Sequence, residues 1–450
     1  MAGDSVAQDY FRWLSHGRLV VLLWAAAIIA AATMAYTGPA GWDAQIYWRA
    51  LQNLRHAEDP YAVGIAAQIA FRNRPVSSPV EHVPFTYVYS PMTLPLLSAL
   101  TSVPGWLLGL LYGLAVSAGF LLQLWAGFQM AEKRERPWLA LMLPAVAFFP
   151  GLVTDDTILS GNIGYVLYGV ILATAVSGWK RGRWFWYYVA VLAASIVKAP
   201  LLNLLAFPIL VGKRQWLPAG GTAAAGLALF AVQAKIWPEQ FREYLVAIRL
   251  MFDIVHDFGF GPGGSIGRGL WRAGRPYSSA SIVAYLVSSL VVGVVLLILR
   301  RRVRLGQMTQ EEWIPVAMVG TLLFYPRIMR YDLAAFSIPM LLIAWRTFRK
   351  TAEFSAPATS GKLFPRLNRE TAIVPVFFLA TNVLTVTGPM WVPVELMALL
   401  AIFALGVWSA YQPQWLGRRS DVLSDAGALA GQLSDQHLPG PPMRVTFDVE

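Results

Sequence analysis

The chain has 450 residues, of which 56% are hydrophobic and 14% charged, and its formal net charge is +11. Apolar runs long enough to cross about 30 Å of hydrocarbon recur along it, which excludes a soluble globular domain. Cysteine is absent, which excludes disulfides, thiolate metal sites and cysteine nucleophiles. The basic residues form short clusters between apolar runs, so they indicate membrane topology rather than nucleic-acid binding. The sequence predicts an all-α, polytopic transmembrane helical bundle.

The first apolar run, residues 19–36, follows Arg12 and Arg18 and lacks a small-residue cleavage site. We therefore expect a retained signal anchor with a cytoplasmic N-terminus. Residues 37–90 follow as a polar outer loop that contains the segment "AQIYWRALQNLR". Its apolar and polar residues fall on opposite faces of a helix, which predicts an amphipathic helix lying along the membrane surface.

The remaining apolar runs set the predicted number of crossings. They centre near residues 118, 145, 169, 190, 206, 225, 289, 320, 338, 380 and 402, with basic clusters between them. If every cluster is cytoplasmic, the chain crosses about twelve times and both ends lie inside. The segment 90–104 is short and carries two prolines, which favours a re-entrant or interfacial helix. We thus expect a bundle over 1–411, outer loops at 37–90 and 234–278, and a poorly ordered cytoplasmic tail at 412–450.

Asp43 is the most informative acid, because it follows the first span directly. A carboxylate at this position either caps the surface helix, by accepting backbone N–H groups, or takes a proton from a substrate. Two further acids, Asp155 and Asp156, lie in a short outer loop before Asn162. They are either substrate-facing or ordinary loop and capping residues.

Several cations fall at the same predicted membrane level. Lys198 stands in the apolar stretch "ASIVKAP", where a lysine is costly, so it either binds an anion or extends to the membrane surface. Arg327 and Arg330, in "YPRIMRYD", are either anion ligands or interface anchors. Arg268 lies among glycines at 259–269 that most often indicate a flexible loop and only weakly a phosphate cradle.

Together these residues favour one reaction class. An acid can activate a hydroxyl, and cations can hold a phosphate that departs with negative charge. This division of labour suits transfer of a sugar from a lipid phosphate, with the lipid tail among the helices. Two isolated histidines in the predicted outer loops, His82 and His256, lack ligand spacing, so we expect no metal site.

Five segments in order carry a resemblance to a known family. They are "WDAQIYWRALQNLRHAEDPY" from Trp42, "YVYSPMTLPLLSAL" from Tyr87, "LSGNIGYVLYGVILATA" from 159, "AASIVKAPLLNLLAFPIL" from 193 and "YPRIMRYDLAAFSIP" from 325. They resemble the GT-C glycosyltransferases that use polyprenyl-phosphate sugars, most closely glycosyltransferase family 87. That family includes the phosphatidylinositol-mannoside mannosyltransferases of mycobacteria. The segments depart from the family pattern in places: Ser90 replaces a proline, Asn162 a glutamine, and one residue rather than two separates Lys198 from Pro200.

The resemblance implies that Asp43 is the general base and that Lys198 contacts the donor phosphate. Arg327, Arg330 and Arg268 are further candidate phosphate ligands because of their charge and predicted position. It implies transfer of a hexose such as mannose, with inversion and without a metal or other cofactor. The expected partners are a polyprenyl-phosphate sugar, a lipid or glycan acceptor and membrane lipids. The expected location is the inner membrane, with the site facing the periplasm. Predicted substrate-binding residues are Trp42, Tyr47, His82, Tyr87, Tyr89, Asp155, Asp156 and Asn162.

Two other functions remain open at this point. A lipid-linked-sugar flippase or other transporter would explain the lipid-sized bundle, and it predicts an inverted repeat of helices. A non-catalytic scaffold predicts that Asp43 and Lys198 face bulk water, far from each other and from any cavity.

Overall fold

A computed structural model describes residues 41–73, 86–132, 135–136, 153–253, 258–355 and 391–411, together with residues 22, 25, 26, 28 and 29. All regular secondary structure in these residues is helical, which confirms the predicted all-α class. The chain divides into two compact units, Met1–Ser409 and Ala410–Glu450. The helices are α1 (Trp42–Arg55), α2 (Pro60–Arg72), α3 (Leu94–Ala99), α4 (Gly105–Met130), α5 (Val153–Ser160), α6 (Gly164–Arg181), α7 (Phe185–Val197), α8 (Ala206–Val211), α9 (Trp216–Ile236), α10 (Pro238–Asp253), α11 (Pro262–Arg272), α12 (Ser278–Arg304), α13 (Gln310–Leu322), α14 (Arg330–Ser355) and α15 (Trp391–Tyr411), with 3₁₀ helices at Pro91–Thr93 and Ala199–Leu205.

Four described helices are long and apolar enough to cross a membrane: α4, α9, α12 and, in α15, Val394–Tyr411. The predicted crossing count of about twelve is not confirmed. The runs near 190 and 206 form the shorter apolar helices Phe185–Val197 and Ala199–Val211, too short for a separate full crossing at 1.5 Å per residue. The predicted first span and the runs near 145 and 380 lie largely or wholly outside the described residues, as does the tail 412–450.

Tight helix packing forms the centre of the bundle. α4 crosses α6 where Gly119 meets Gly169, and a Cβ on Gly169 would lie 2.5 Å from the Gly119 carbonyl oxygen. α13 is buried from Trp313 to Leu322, and α14 packs against it and against α5 and α6. This arrangement brings the N-terminal ends of α6 and α14 together.

The described parts of the two predicted outer loops are mostly helical. The predicted amphipathic helix is α1, which buries Ala44, Ile46, Ala50 and Leu51. The short helices after residue 90 span too few residues to cross the membrane. The expectation of a flexible glycine loop at 259–269 is wrong over most of its length, because Pro262–Arg272 forms α11. A Cβ on Gly263 would lie 2.7 Å from the Ser281 carbonyl oxygen, so glycine permits α11 to pack directly on α12.

A buried ion pair joins the end of α4 to α14. The Arg346 guanidinium donates to both Glu135 carboxylate oxygens, at 3.0 and 2.7 Å, and to the Met130 carbonyl at 2.9 Å. Burial would raise the pKa of Glu135, but the hydrogen bonds and charge of Arg346 outweigh it and hold that pKa below its usual value. The pair fixes these helices at the end of α14 remote from Arg330.

Candidate active site

A cavity of about 1060 Å³ opens between the N-terminal ends of α6 and α14 and helices α10 to α12. Lys198, which separates α7 from the 3₁₀ helix Ala199–Leu205, also lines it. The cavity volume is at the upper end of the about 300–1,000 Å³ common for small-molecule sites. Its polar wall includes Asp43, Asn162, Lys198, Arg327 and Arg330, which are residues that the sequence assigns to the site. Because Asp43 and Lys198 share this wall, the scaffold hypothesis fails in its expectation that they lie far from any cavity.

The turn after α5 sets the position of Asp43. Gly161 adopts φ +72°, and the Asn162 N–H bonds the Thr157 carbonyl while the Gly161 N–H bonds the Ile158 carbonyl, which together end the helix in a Schellman motif. A Cβ on Gly161 would lie 2.5 Å from the Ala44 Cβ. The missing side chain therefore lets α1 pack directly on this turn.

Asp43 does not cap a helix. α1 begins at Trp42, its N-cap is Gly41, and no side chain caps it. The Asp43 carboxylate instead accepts a hydrogen bond from Asn162 Nδ2 at 2.8 Å. Of the two interpretations of Asp43, the structure removes the capping role and places its carboxylate on the cavity wall.

Asn162 bridges the acid and the lysine. Its Oδ1 accepts from Lys198 Nζ at 3.0 Å and from the Gly164 N–H at 2.8 Å, while its Nδ2 donates to Asp43. Because an ammonium only donates and a carboxylate only accepts, this network permits a single orientation of the amide. The Asp43 carboxylate and the Lys198 ammonium are thus bridged by a single amide group.

Lys198 lies where two short helices meet. It is the C-cap of α7 and the N-cap of the 3₁₀ helix Ala199–Leu205, and Pro200 prevents a continuous helix. Its Nζ lies 3.7 Å from the centre of the Tyr331 ring, a cation–π contact. Burial lowers the pKa of Lys198 to about 8, against the opposing charges of Asp332 and Asp43. Lys198 lines the cavity.

The other predicted cations differ in their surroundings. Arg327 lines the cavity, and its charge acts on Lys198. Arg330 lines it too, but its Nε lies 3.0 Å from the fully buried carboxylate of Glu395, which compensates its charge. Arg268 does not belong to the described lining, and its Nη2 donates to the Gly259 carbonyl at 3.4 Å. Arg327 and Arg330 thus both line the cavity, while Arg268 lies outside the described lining.

The predicted aromatic residues form a cluster behind Asp43. Tyr89 lines the cavity, and its hydroxyl bonds the hydroxyl of Tyr47, whose ring centre lies 4.9 Å away. Tyr87 is buried as well, with its hydroxyl 2.6 Å from Thr93 Oγ1. Only Tyr89 of these three belongs to the described lining, so the cluster mainly supports the wall.

Some predicted residues lie outside the described part of the chain. His82 and His256 do so entirely, and the side chains of Trp42, Asp155 and Asp156 are not described although their backbones are helical. Among the described residues, no group of three or more His, Cys, Asp or Glu side chains is arranged to hold a metal ion.

Two residues near Lys198 have no role predicted from the sequence. Tyr331 and the fully buried Asp332 both belong to the segment "YPRIMRYD". The signal was present, because a carboxylate directly before the apolar run "LAAFSIP" is as costly as Lys198 is in its own stretch.

The family follows from a comparison with known proteins. The model of glycosyltransferase family 87 matches residues 87–326, more than half of the chain. The chain belongs to glycosyltransferase family 87. Membership makes it a glycosyltransferase, and its apolar helices indicate a membrane protein. The match to family 87 includes Tyr89, Asn162 and Lys198, whereas Asp43 and Arg327 lie outside the matched residues. No curated protein matches the chain.

Proposed function

We propose that the chain is an inverting, metal-independent hexosyltransferase that uses a polyprenyl monophosphate sugar, with mannose as the expected hexose. The acceptor is a hydroxyl of a lipid or glycan, and the reaction takes place on the periplasmic face of the inner membrane. The observation that carries the proposal is the chain of contacts from Asp43 through Asn162 to Lys198 on one cavity wall.

In the proposed reaction Asp43 is the general base. It takes the proton of the acceptor hydroxyl as that oxygen forms a bond to the anomeric carbon. The bond between the anomeric carbon and the phosphate oxygen breaks, and the lipid phosphate leaves with one more negative charge. Lys198 and Arg327 stabilise that charge where it develops. A single displacement with one base inverts the anomeric centre.

The apolar part of the cavity supports a lipid-linked donor. Its lining includes the apolar residues Val197, Ile248, Met251 and Phe252. Ile282 lines the cavity as well, yet it is 59% exposed and begins an apolar surface along α12 that continues through Val283 and Leu286. Because α12 is a candidate membrane span, this surface offers a polyprenyl chain a continuous apolar path from the phosphate site to the lipid.

A reconstituted transfer assay tests the proposal. The purified protein in lipid nanodiscs is given polyprenyl-phosphate mannose or glucose, or the corresponding nucleotide sugars, together with a panel of lipid and glycan acceptors. We expect product only from a polyprenyl-phosphate donor, with an anomeric configuration opposite to that of the donor. Transfer from nucleotide sugars alone, or retention of configuration, would contradict it. Activity that persists after removal of divalent cations by a chelator is expected.

A further inference from the structure

Asp332 is a fully buried carboxylate, next to the site, for which the proposed reaction has no role. It lies in the first turn of α14, where Oδ1 accepts from the Tyr168 hydroxyl at 2.7 Å and Oδ2 from the Met329 N–H at 2.8 Å. Both oxygens are therefore engaged, one by α6 and one by the segment that carries Arg327.

These contacts fix the segment that precedes Tyr331. Met329 is held by Asp332, and the preceding Ile328 carbonyl accepts the Phe260 N–H at 2.9 Å. Tyr331, adjacent to Asp332 in the chain, then presents its ring 3.7 Å from Lys198 Nζ. The position of the ring, and of the ammonium above it, depends on the anchor at Asp332.

The charges around Lys198 oppose one another. Burial disfavours its ammonium, and the charge of Arg327 adds to that effect. Two carboxylates act in the opposite direction, first Asp332 and then Asp43. Around Asp332 itself the charged and polar groups are Lys198, Tyr168, the Met329 N–H and Arg327. Of the two carboxylates, Asp332 thus has the larger effect in favour of a positive Lys198.

We propose that Asp332 is a positioning residue of the donor-phosphate site, whose buried negative charge keeps Lys198 an ammonium above the Tyr331 ring. This role deepens the proposed function and rests on it. Asp43 has the smaller effect on Lys198, and its carboxylate becomes neutral when it takes the acceptor proton. The charge of Asp332 remains after that transfer, so the departing phosphate still meets a positive Lys198.

Titration of the lysine by competitive labelling tests the proposal without a known donor. A trace amine-acylating reagent reacts only with the unprotonated amine, so the labelling rate at Lys198, followed by peptide mass spectrometry, gives its titration midpoint. Exposed Lys213 and Lys235 in the same sample serve as references. We expect a wild-type midpoint of about 8. In Asp332→Asn it should fall by about one pH unit, because an opposite charge has been removed.

Tyr168→Phe is the matched control, since it removes a hydrogen bond to Asp332 but leaves the charge. Its midpoint should stay at the wild-type value, and Asp332→Glu should also retain it. If Asp332→Asn does not fold, the double variant Asp332→Asn/Tyr168→Phe keeps the test available. It removes the Tyr168 hydroxyl, so that the single carbonyl oxygen of the new amide can accept from the Met329 N–H.

An unchanged Lys198 midpoint in folded Asp332→Asn, or an equal fall in Tyr168→Phe, overturns the role of the charge. The transfer assay forms a separate arm. The alkaline limb of kcat/KM for the donor should move to lower pH in Asp332→Asn and not in Tyr168→Phe. Absence of transfer from every polyprenyl-phosphate sugar in the wild type overturns the proposed function, whereas the labelling arm alone decides whether Asp332 sets the charge of Lys198.

Discussion

Asn162 Nδ2 donates a 2.8 Å hydrogen bond to Asp43, 119 positions earlier in the chain. The same amide accepts from Lys198 at 3.0 Å. One neutral side chain thus aligns an acid from α1 with a lysine from the break after α7. In the proposed reaction Asp43 acts on the acceptor oxygen that forms the new bond, and Lys198 acts on the phosphate whose bond breaks.

Asp43→Asn should abolish turnover while leaving the donor bound. The amide is nearly the same size and still accepts from Asn162, but it takes no proton, so kcat should fall at least about 100-fold. Asp253→Asn is the control, because Asp253 also lines the cavity but pairs with Arg249 on the exposed face of α10. Its kcat should stay within about twofold. Equal losses in both variants would remove the assignment of Asp43 as the base.

Asn162→Ala should impair both halves of the site. Asp43 loses a donor and Lys198 loses an acceptor, so we expect a lower kcat together with a higher donor KM, each by about tenfold. Ser160→Ala is the matched control, because the Ser160 hydroxyl donates to the Thr157 carbonyl within its own helix turn. Steady-state kinetics that show a change in kcat alone would contradict a bridging role.

Donor use should fall as the pH rises through about 8. Lys198 is charged below its pKa of about 8 and neutral above it, and only the ammonium attracts the phosphate. The pH profile of kcat/KM for the donor should therefore decline above that value. Lys198→Ala should weaken donor binding at least about tenfold and lose this limb. Lys235→Ala, at an exposed position, should leave the profile unchanged.

Gly161→Ala should disrupt the site more than the fold. Its Cβ would lie 2.5 Å from the Ala44 Cβ, so α1 must shift and carry Asp43 away from Asn162. Gly182→Ala is the control: Gly182 has a similar φ of +68°, but a Cβ there meets nothing within 4 Å. Both variants should lose about 1 kcal/mol to backbone strain. Only Gly161→Ala should lose transfer activity, and retained activity would show that α1 tolerates the shift.

Glu135→Gln should destabilise the bundle without a direct effect on the site. Arg346 stays buried, and the side chain that accepts two of its hydrogen bonds no longer carries a negative charge. Breaking a buried ion pair in this way costs about 3 kcal/mol or more of the free energy of unfolding. Thermal unfolding in detergent measures this loss. Asp253→Asn, which breaks the exposed Arg249 pair, should cost less than about 1 kcal/mol. Similar midpoints for the two variants would show that the buried pair contributes little.

The helical class follows from the sequence, which also singles out two charged residues that line the cavity. Apolar runs with intervening basic clusters indicate membrane helices because the periodicity and length of a helix are local properties. The amphipathic α1 follows from the same local pattern. Asp43 and Lys198 were identifiable because a charge at the end of, or inside, an apolar run is costly without a role.

Only the tertiary structure decided how these residues meet. The Asn162 bridge, the anchor at Asp332 and the partnership of Arg330 with Glu395 join segments far apart in the chain, and no local pattern encodes such contacts. The glycines of α11 suggested a flexible loop, yet a helix forms there because they permit close packing against α12. Local composition fixes which segments become helices, whereas long-range packing decides which charges share one cavity and which are neutralised elsewhere.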